Sequence, residues 1–104
     1  MNDPETFREA LDTIFQVVHN PDPIQVRLVE VSEEHIGGGF GQFSLFFHGP
    51  ADEILPQGTY SFRHDVLGSL ALFIVPIIGS NRERIVYQAC LSRPAPPVEL
   101  RIRN

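Results

Sequence analysis

Residues Phe43–Pro76, FSLFFHGPADEILPQGTYSFRHDVLGSLALFIVP, decide how this chain folds. Three strand-like runs are separated by Gly49-Pro50, Pro56-Gln57-Gly58 and the tight turn Asp65-Val66-Leu67-Gly68. Apolar runs cut at short intervals by such residues belong to antiparallel strands joined by loops. Phe43, Leu45 and Phe47 share one face of the first run. Phe46 joins Ser44 and His48 on the other, which implies that this second face is partly covered. In the next run, Gly58–His64, Tyr60 and Phe62 point inward. Ser69–Ile77 is apolar on both faces, the pattern of a strand central in its sheet. Pro76 has no N–H to give a ladder, so the strand ends or reaches an edge there.

Outward from this block the same reasoning adds strands on both sides. Ile24–Val31 alternates, with a slip at Leu28-Val29 that reads as a bulge or a doubly buried strand. Glu33–Gln42, holding Gly37, Gly38, Gly39 and Gly41, is expected to be a flexible loop. After a turn at Gly79–Glu83, Arg84–Ser92 forms another strand. Pro94-Ala95-Pro96-Pro97 breaks it, and Val98–Arg103 alternates as a last, short, exposed strand. At the N-terminus Asp3-Pro4-Glu5 is a helix start, with a cap, a proline at the first helical position and an acid at the positive end of the dipole. Phe7, Ala10, Leu11, Ile14, Phe15 and Val18 follow at helical spacing. Ile14–His19 is equally rich in β-branched and aromatic residues and precedes the turn Asn20-Pro21-Asp22-Pro23. Residues 14–32 therefore read either as the end of a helix and a strand, or as a β-hairpin.

The chain of 104 residues makes one domain: an N-terminal helix over 1–12, a β core over 13–93, and a Pro-rich break with a C-terminal strand over 94–104. The net charge of −5 argues against general nucleic-acid binding, which needs cations to displace phosphate counterions. Residues 1–81 carry three Arg against eleven acids, and residues 82–104 carry five Arg against two. The basic end suits edge strands kept from aggregating by charge, or contact with an acidic neighbour. There is no lysine, so Schiff-base, P-loop and general-base lysines are excluded. Cys90 is the only cysteine, which rules out an intramolecular disulfide and fits a reducing compartment. The N-terminus is acidic and amphipathic, unlike a signal peptide, and no apolar run is long enough to span a bilayer. A cytoplasmic protein that binds no membrane is expected.

The candidate chemistry is thin. The glycine cluster at 37–41 lacks both a Gly-Lys-Ser/Thr continuation and dinucleotide-fingerprint spacing, and no helix follows to receive an anion. His19, His35, His48 and His64 show no pair at i+2, i+3 or i+4, so no local metal-ligand spacing exists. His48 and His64 fall at opposite ends of successive strands if those strands pair. His64 is expected to bond the turn through Asp65. Cys90 sits mid-strand without the helix N-terminus or cation that lowers a thiol pKa, and is read as small and partly buried. Ser69 lacks a Gly-x-Ser-x-Gly elbow. No catalytic residue, metal ligand or cofactor is expected.

Aromatic surplus is the remaining signal. Phe40, Phe46 and Phe73 exceed what a small core needs, and with Ile54 and Leu55 they make a candidate interaction surface. The alternative is that a helix covers both faces. Arg101 and Arg103 on the last strand are candidates for pairing with acids of a neighbouring chain.

The middle block resembles the uncharacterised bacterial family named domain of unknown function 6916. The resemblance rests on Phe43-Ser-Leu-Phe-Phe47, Gly49-Pro50, Leu55-Pro-Gln-Gly-Thr-Tyr60, His64, Leu67-Gly68, Leu70, Leu72-Phe73 and Val75-Pro76. Tyr87-Gln-Ala89 and Leu28-Val-Glu-Val31 also match, so about residues 7–93 are covered. It implies a small, mostly β domain, and it favours the hairpin over residues 14–31. It implies no activity. Through neighbouring genes for tail-fibre-like collar proteins it points to a structural or accessory role in an extracellular or phage-derived assembly. Such a role would count against a cytoplasmic location.

Together these readings give a mainly β fold, with a short N-terminal helix on an antiparallel sheet of about six strands forming a small barrel or sandwich. The expected function is non-enzymatic: a protein–protein interaction or assembly module binding a protein partner or itself as a homo-oligomer. The competing expectation is a ligand-binding barrel or enzyme with Tyr60, Arg63 and His64 near a cavity mouth.

Overall fold

The computed structural model of the chain describes residues 4–36, 40–77 and 83–93. A short helix, α1 (Pro4–Arg8), precedes six strands: β1 (Ile14–Val17), β2 (Ile24–Ile36), β3 (Phe40–Pro50), β4 (Gly58–His64), β5 (Gly68–Pro76) and β6 (Arg84–Arg93). All pairings are antiparallel, and the sheet closes in the order β1-β2-β3-β6-β5-β4. The fold is therefore the small barrel rather than the sandwich. The expected C-terminal strand at Val98–Arg103 and the turn at Gly79–Glu83 fall wholly or largely outside the described residues.

The ambiguous segment resolves as the hairpin. The helix ends at Arg8, and the bonds Ala10 N–H to Phe7 O, Leu11 N–H to Arg8 O and Thr13 N–H to Ala10 O tighten to an i−3 pattern. Asp12 then turns left-handed at φ 65°, which ends helical continuation. The helix is thus shorter than the expected 1–12, and Leu11 and Ile14, expected on its buried face, are exposed. β1 pairs β2 from Ile14↔Arg27 to Val17↔Ile24 and closes the barrel on β4 through Gln16↔Arg63 and Val17↔Phe62.

The slip at Leu28-Val29 is a bulge, marked by a register shift between Leu28 and Glu30. The expected loop at Glu33–Gln42 is largely strand, because β2 runs to Ile36 and β3 starts at Phe40. Cross-strand pairing from Ile36↔Phe40 onward overrides the glycine-rich composition.

Inward side chains fill the interior, as the small radius of a six-stranded barrel requires. Phe15, Phe47 and Phe62, from three different strands, meet with ring centroids 5.4 Å (Phe15–Phe47), 5.3 Å (Phe47–Phe62) and 6.5 Å (Phe15–Phe62) apart. Leu28, Leu45, Leu72, Ile74 and Tyr87 pack around them. Phe7 of α1 is buried, with its ring 6.0 Å from Phe43.

β5 departs from expectation on one face. Leu72 and Ile74 are buried, but Phe73 and Val75 on the outward face are exposed. In a closed barrel the second face is the outside, so two apolar faces do not imply two covered ones.

Candidate functional site

Two places on the barrel gather side chains with chemistry. The first lies between α1 and the β4–β5 turn. The His64 ring stacks on Phe15 at a centroid distance of 4.4 Å. Its Nδ1 lies 3.0 Å from the Val66 backbone nitrogen and 3.1 Å from that of Leu67. Its Nε2 lies 2.8 Å from Thr13 Oγ1, and Thr13 Oγ1 donates to the Ala10 carbonyl at 2.6 Å.

By distance alone, Thr13 and His64 look like a hydroxyl nucleophile with its base. The proton directions say otherwise. Backbone N–H groups only donate, so Nδ1 must accept from both. The ring proton then sits on Nε2 and is donated to Thr13 Oγ1, whose own proton goes to Ala10. The imidazole nitrogen facing the hydroxyl has no lone pair to take its proton. This chain ties the end of α1 to the β4–β5 turn, and Gly68 at φ 79° completes that turn. His64 thus bonds the turn with its own ring, not through Asp65. Thr13 went unnoticed in the sequence because nothing local links it to a histidine 51 positions away.

A shallow outer groove of about 320 Å³ beside this chain is lined by Ile14, Gln16, Gln25, Arg63, His64 and Asp65. Arg63 and His64 therefore do share a surface recess. Tyr60 does not line it; its hydroxyl donates to the Pro56 carbonyl at 2.7 Å.

The second place is the outward face of β3, β6 and β5. Registers set Phe46 opposite Gln88 and Gln88 opposite Val75, while Ser44 faces Cys90. Gln88 Nε2 donates to Ser44 Oγ at 3.1 Å. A mostly apolar recess of about 220 Å³ is lined by Phe73, Val75, Gln88 and Cys90. Phe73 is 52% exposed. Cys90 is exposed, not partly buried as expected, because it alternates with inward Ala89. Val75, Gln88 and Cys90 belong to this surface and were missed; the alternation that turns Phe73 outward also turns them outward, with Gln88 half-buried.

Of the expected interaction residues, Phe73 and the half-buried Phe46 lie on this outward face. Ile54 is exposed in the β3–β4 loop. Leu55 is a correction: it is fully buried, and its N–H donates to the Tyr87 hydroxyl at 2.9 Å. The side chain of Phe40 lies outside the described residues, as do Arg101 and Arg103.

His48 and His64 are not on paired strands. β3 and β4 are separated by β6 and β5 on one side and by β2 and β1 on the other. Among the described residues no three His, Cys, Asp or Glu side chains gather as metal ligands. His48 lies between strands carrying Arg27 and Arg84. Partial burial, then Arg84 and Arg27, hold its pKa below the ordinary 6.5. Among the described residues no helix is long and apolar enough to cross a membrane.

Residues 3–91 match the model of a family described as a domain of unknown function, DUF6916. The chain belongs to this family. No curated protein and no solved structure matches it.

Proposed function

We propose that this barrel is a non-enzymatic protein-interaction or assembly module that associates with itself. The observation that carries the reading is Phe73, a large aromatic residue more than half exposed on a regular strand beside exposed Val75. Apolar side chains clustered on one outward face mark interaction surfaces, and aromatic anchors dominate the energetics of such contacts. Two further features support it. The barrel interior is occupied by interlocking rings, and the Thr13–His64 pair is spent on holding α1 to a turn. An accessory role in a larger assembly would use the same face toward a different chain. A cytoplasmic setting accords with an exposed free thiol at Cys90.

Light scattering over a wide concentration range tests this. The unmodified chain is expected to exceed its monomer mass of 11.7 kDa, and Phe73→Ser to return it to that mass without unfolding. An unmodified chain that stays monomeric at every concentration would overturn self-association.

A further inference from the structure

Strands β2, β3 and β6 lie side by side, and their registers gather cations on the outer face of the barrel. Arg27 stands opposite His48, His48 stands opposite Val86, and Arg84 lies two residues back along β6, facing Pro50. Their chain neighbours Val26, Leu28, Phe47, Ile85 and Tyr87 are buried, so alternation turns the three basic residues outward together. Cross-strand partners stand about 4.5–5.5 Å apart at Cβ and diagonal neighbours about 7–8 Å, within reach of long side chains. The imidazole feels both guanidiniums: after partial burial, Arg84 and then Arg27 hold its pKa down.

The cluster is not neutralised from within. Among the described residues no carboxylate pairs with Arg27, and no group bonds the His48 ring. Arg84 meets Glu83 at 4.0 Å; a guanidinium has several N–H donors, so such contacts do not exhaust it. Glu30, the next outward acid on β2, lies past the bulge opposite Phe46.

We propose that Arg27, His48 and Arg84 bind the phosphate group of a hydroxylated small molecule, such as a sugar phosphate, whose body lies in the adjoining groove. Guanidinium forks match phosphate oxygens bidentately, and the imidazole adds an N–H. The groove of about 320 Å³ begins beside Arg27, since Ile14, its partner on β1, and Gln25, two residues back on β2, both line it. Gln16 and Gln25 face each other there, and among the described residues their carboxamides bond nothing. Each offers a donor and an acceptor to hydroxyl groups. Asp65 on the far wall accepts from hydroxyls and repels a second anionic group, which leaves the ligand's charge at the Arg27 end.

Sulfate, a tetrahedral dianion without a body, and glucose 6-phosphate test the two halves of the site on the full chain. The NMR signals of the His48 ring should shift to saturation with sodium sulfate and not with sodium chloride at equal ionic strength. Equal responses would mean screening alone and overturn the site. Arg27→Gln should weaken sulfate binding about tenfold, whereas Arg63→Gln, the same charge change on β4, should leave it unchanged. Equal losses would reduce the effect to net charge and overturn the site. Sulfate keeps its charge between about pH 5.5 and 7.5, so its binding should tighten as pH falls and His48 gains a proton. His48→Gln should remove that dependence; a dependence left intact would overturn the role of the ring. Glucose 6-phosphate should bind about tenfold tighter than sulfate, and Gln16→Ala should erase this gain without touching sulfate. A sugar phosphate no tighter than sulfate would overturn the ligand class. None of these readings requires self-association through Phe73, so either idea can fail alone.

Discussion

Thr13 Oγ1 and His64 Nε2 stand 2.8 Å apart, and the imidazole is the donor. The direction follows from the far side of the ring, where two backbone N–H groups occupy Nδ1. A pair with the spacing of a catalytic dyad is thereby made into a structural tie between sequence-distant elements.

Removing that tie should weaken the fold. Thr13→Val leaves the Nε2–H without its acceptor and takes the hydroxyl donor from the Ala10 carbonyl, which keeps only the Thr13 N–H, a loss of about 1–3 kcal/mol. His64→Ala should cost a similar amount. The double variant should lose clearly less than the two single losses combined, because both delete one network. Urea unfolding of the four proteins measures the coupling; full additivity would mean that the two side chains act independently.

Gly49 is inward on β3, and a Cβ there would meet the Tyr87 ring at 3.0 Å and Val26 Cγ1 at 3.1 Å. The ring has little room to yield, since its hydroxyl accepts the Leu55 N–H. Gly49→Ala should destabilise by about 1–3 kcal/mol through overpacking, despite alanine's lower backbone entropy cost. Thermal and denaturant unfolding check it. An alanine variant as stable as the parent would show that the ring shifts freely.

Stability should fall at both ends of the pH range. The folded His48 pKa lies below its ordinary 6.5, so the unfolded chain takes up that proton first. The contribution is complete above 6.5 and is lost as pH falls through the folded value. Burial, partly opposed by the Leu55 hydrogen bond, raises the Tyr87 pKa above 10.0. Its contribution is complete below 10.0 and is lost as pH rises from there through the folded value. Unfolding midpoints measured across pH should show both limbs. His48→Gln should flatten the acid limb and leave the alkaline one.

The sequence was most legible where a run of residues reports on its own strand. Phe43, Leu45 and Phe47 alternate inward as their spacing requires, and Leu28-Val29 marks a real bulge. Helix content near the N-terminus was harder, because Ile14 and Val18 satisfy a helical period and a strand composition equally. Barrel closure decides that case, and it rests on Gln16 meeting Arg63, a pairing with no local trace. Position within the closed sheet also governs Phe73. An apolar outward face and an apolar buried face look alike until the neighbouring strands are known. Leu55 failed in the opposite sense: a leucine in a polar loop buries its side chain in the core, and the Tyr87 hydroxyl accepts its backbone N–H there.

Phenylalanine on this barrel should therefore divide sharply by face. Phe47 is fully buried between Phe15 and Phe62, and Phe47→Ala should cost about 3–5 kcal/mol by removing transfer energy and leaving a cavity. Phe73, one position in the alternation from buried Leu72 and Ile74, touches the outside. Phe73 is half exposed, so Phe73→Ser should cost about 1–2 kcal/mol through the covered part of its ring and lost strand propensity, well under the Phe47 loss. Measured at a concentration where the chain is monomeric, this contrast separates folding from association. A large loss at Phe73 under those conditions would mean that its ring is covered within the monomer, and the outward face would no longer be available to a partner.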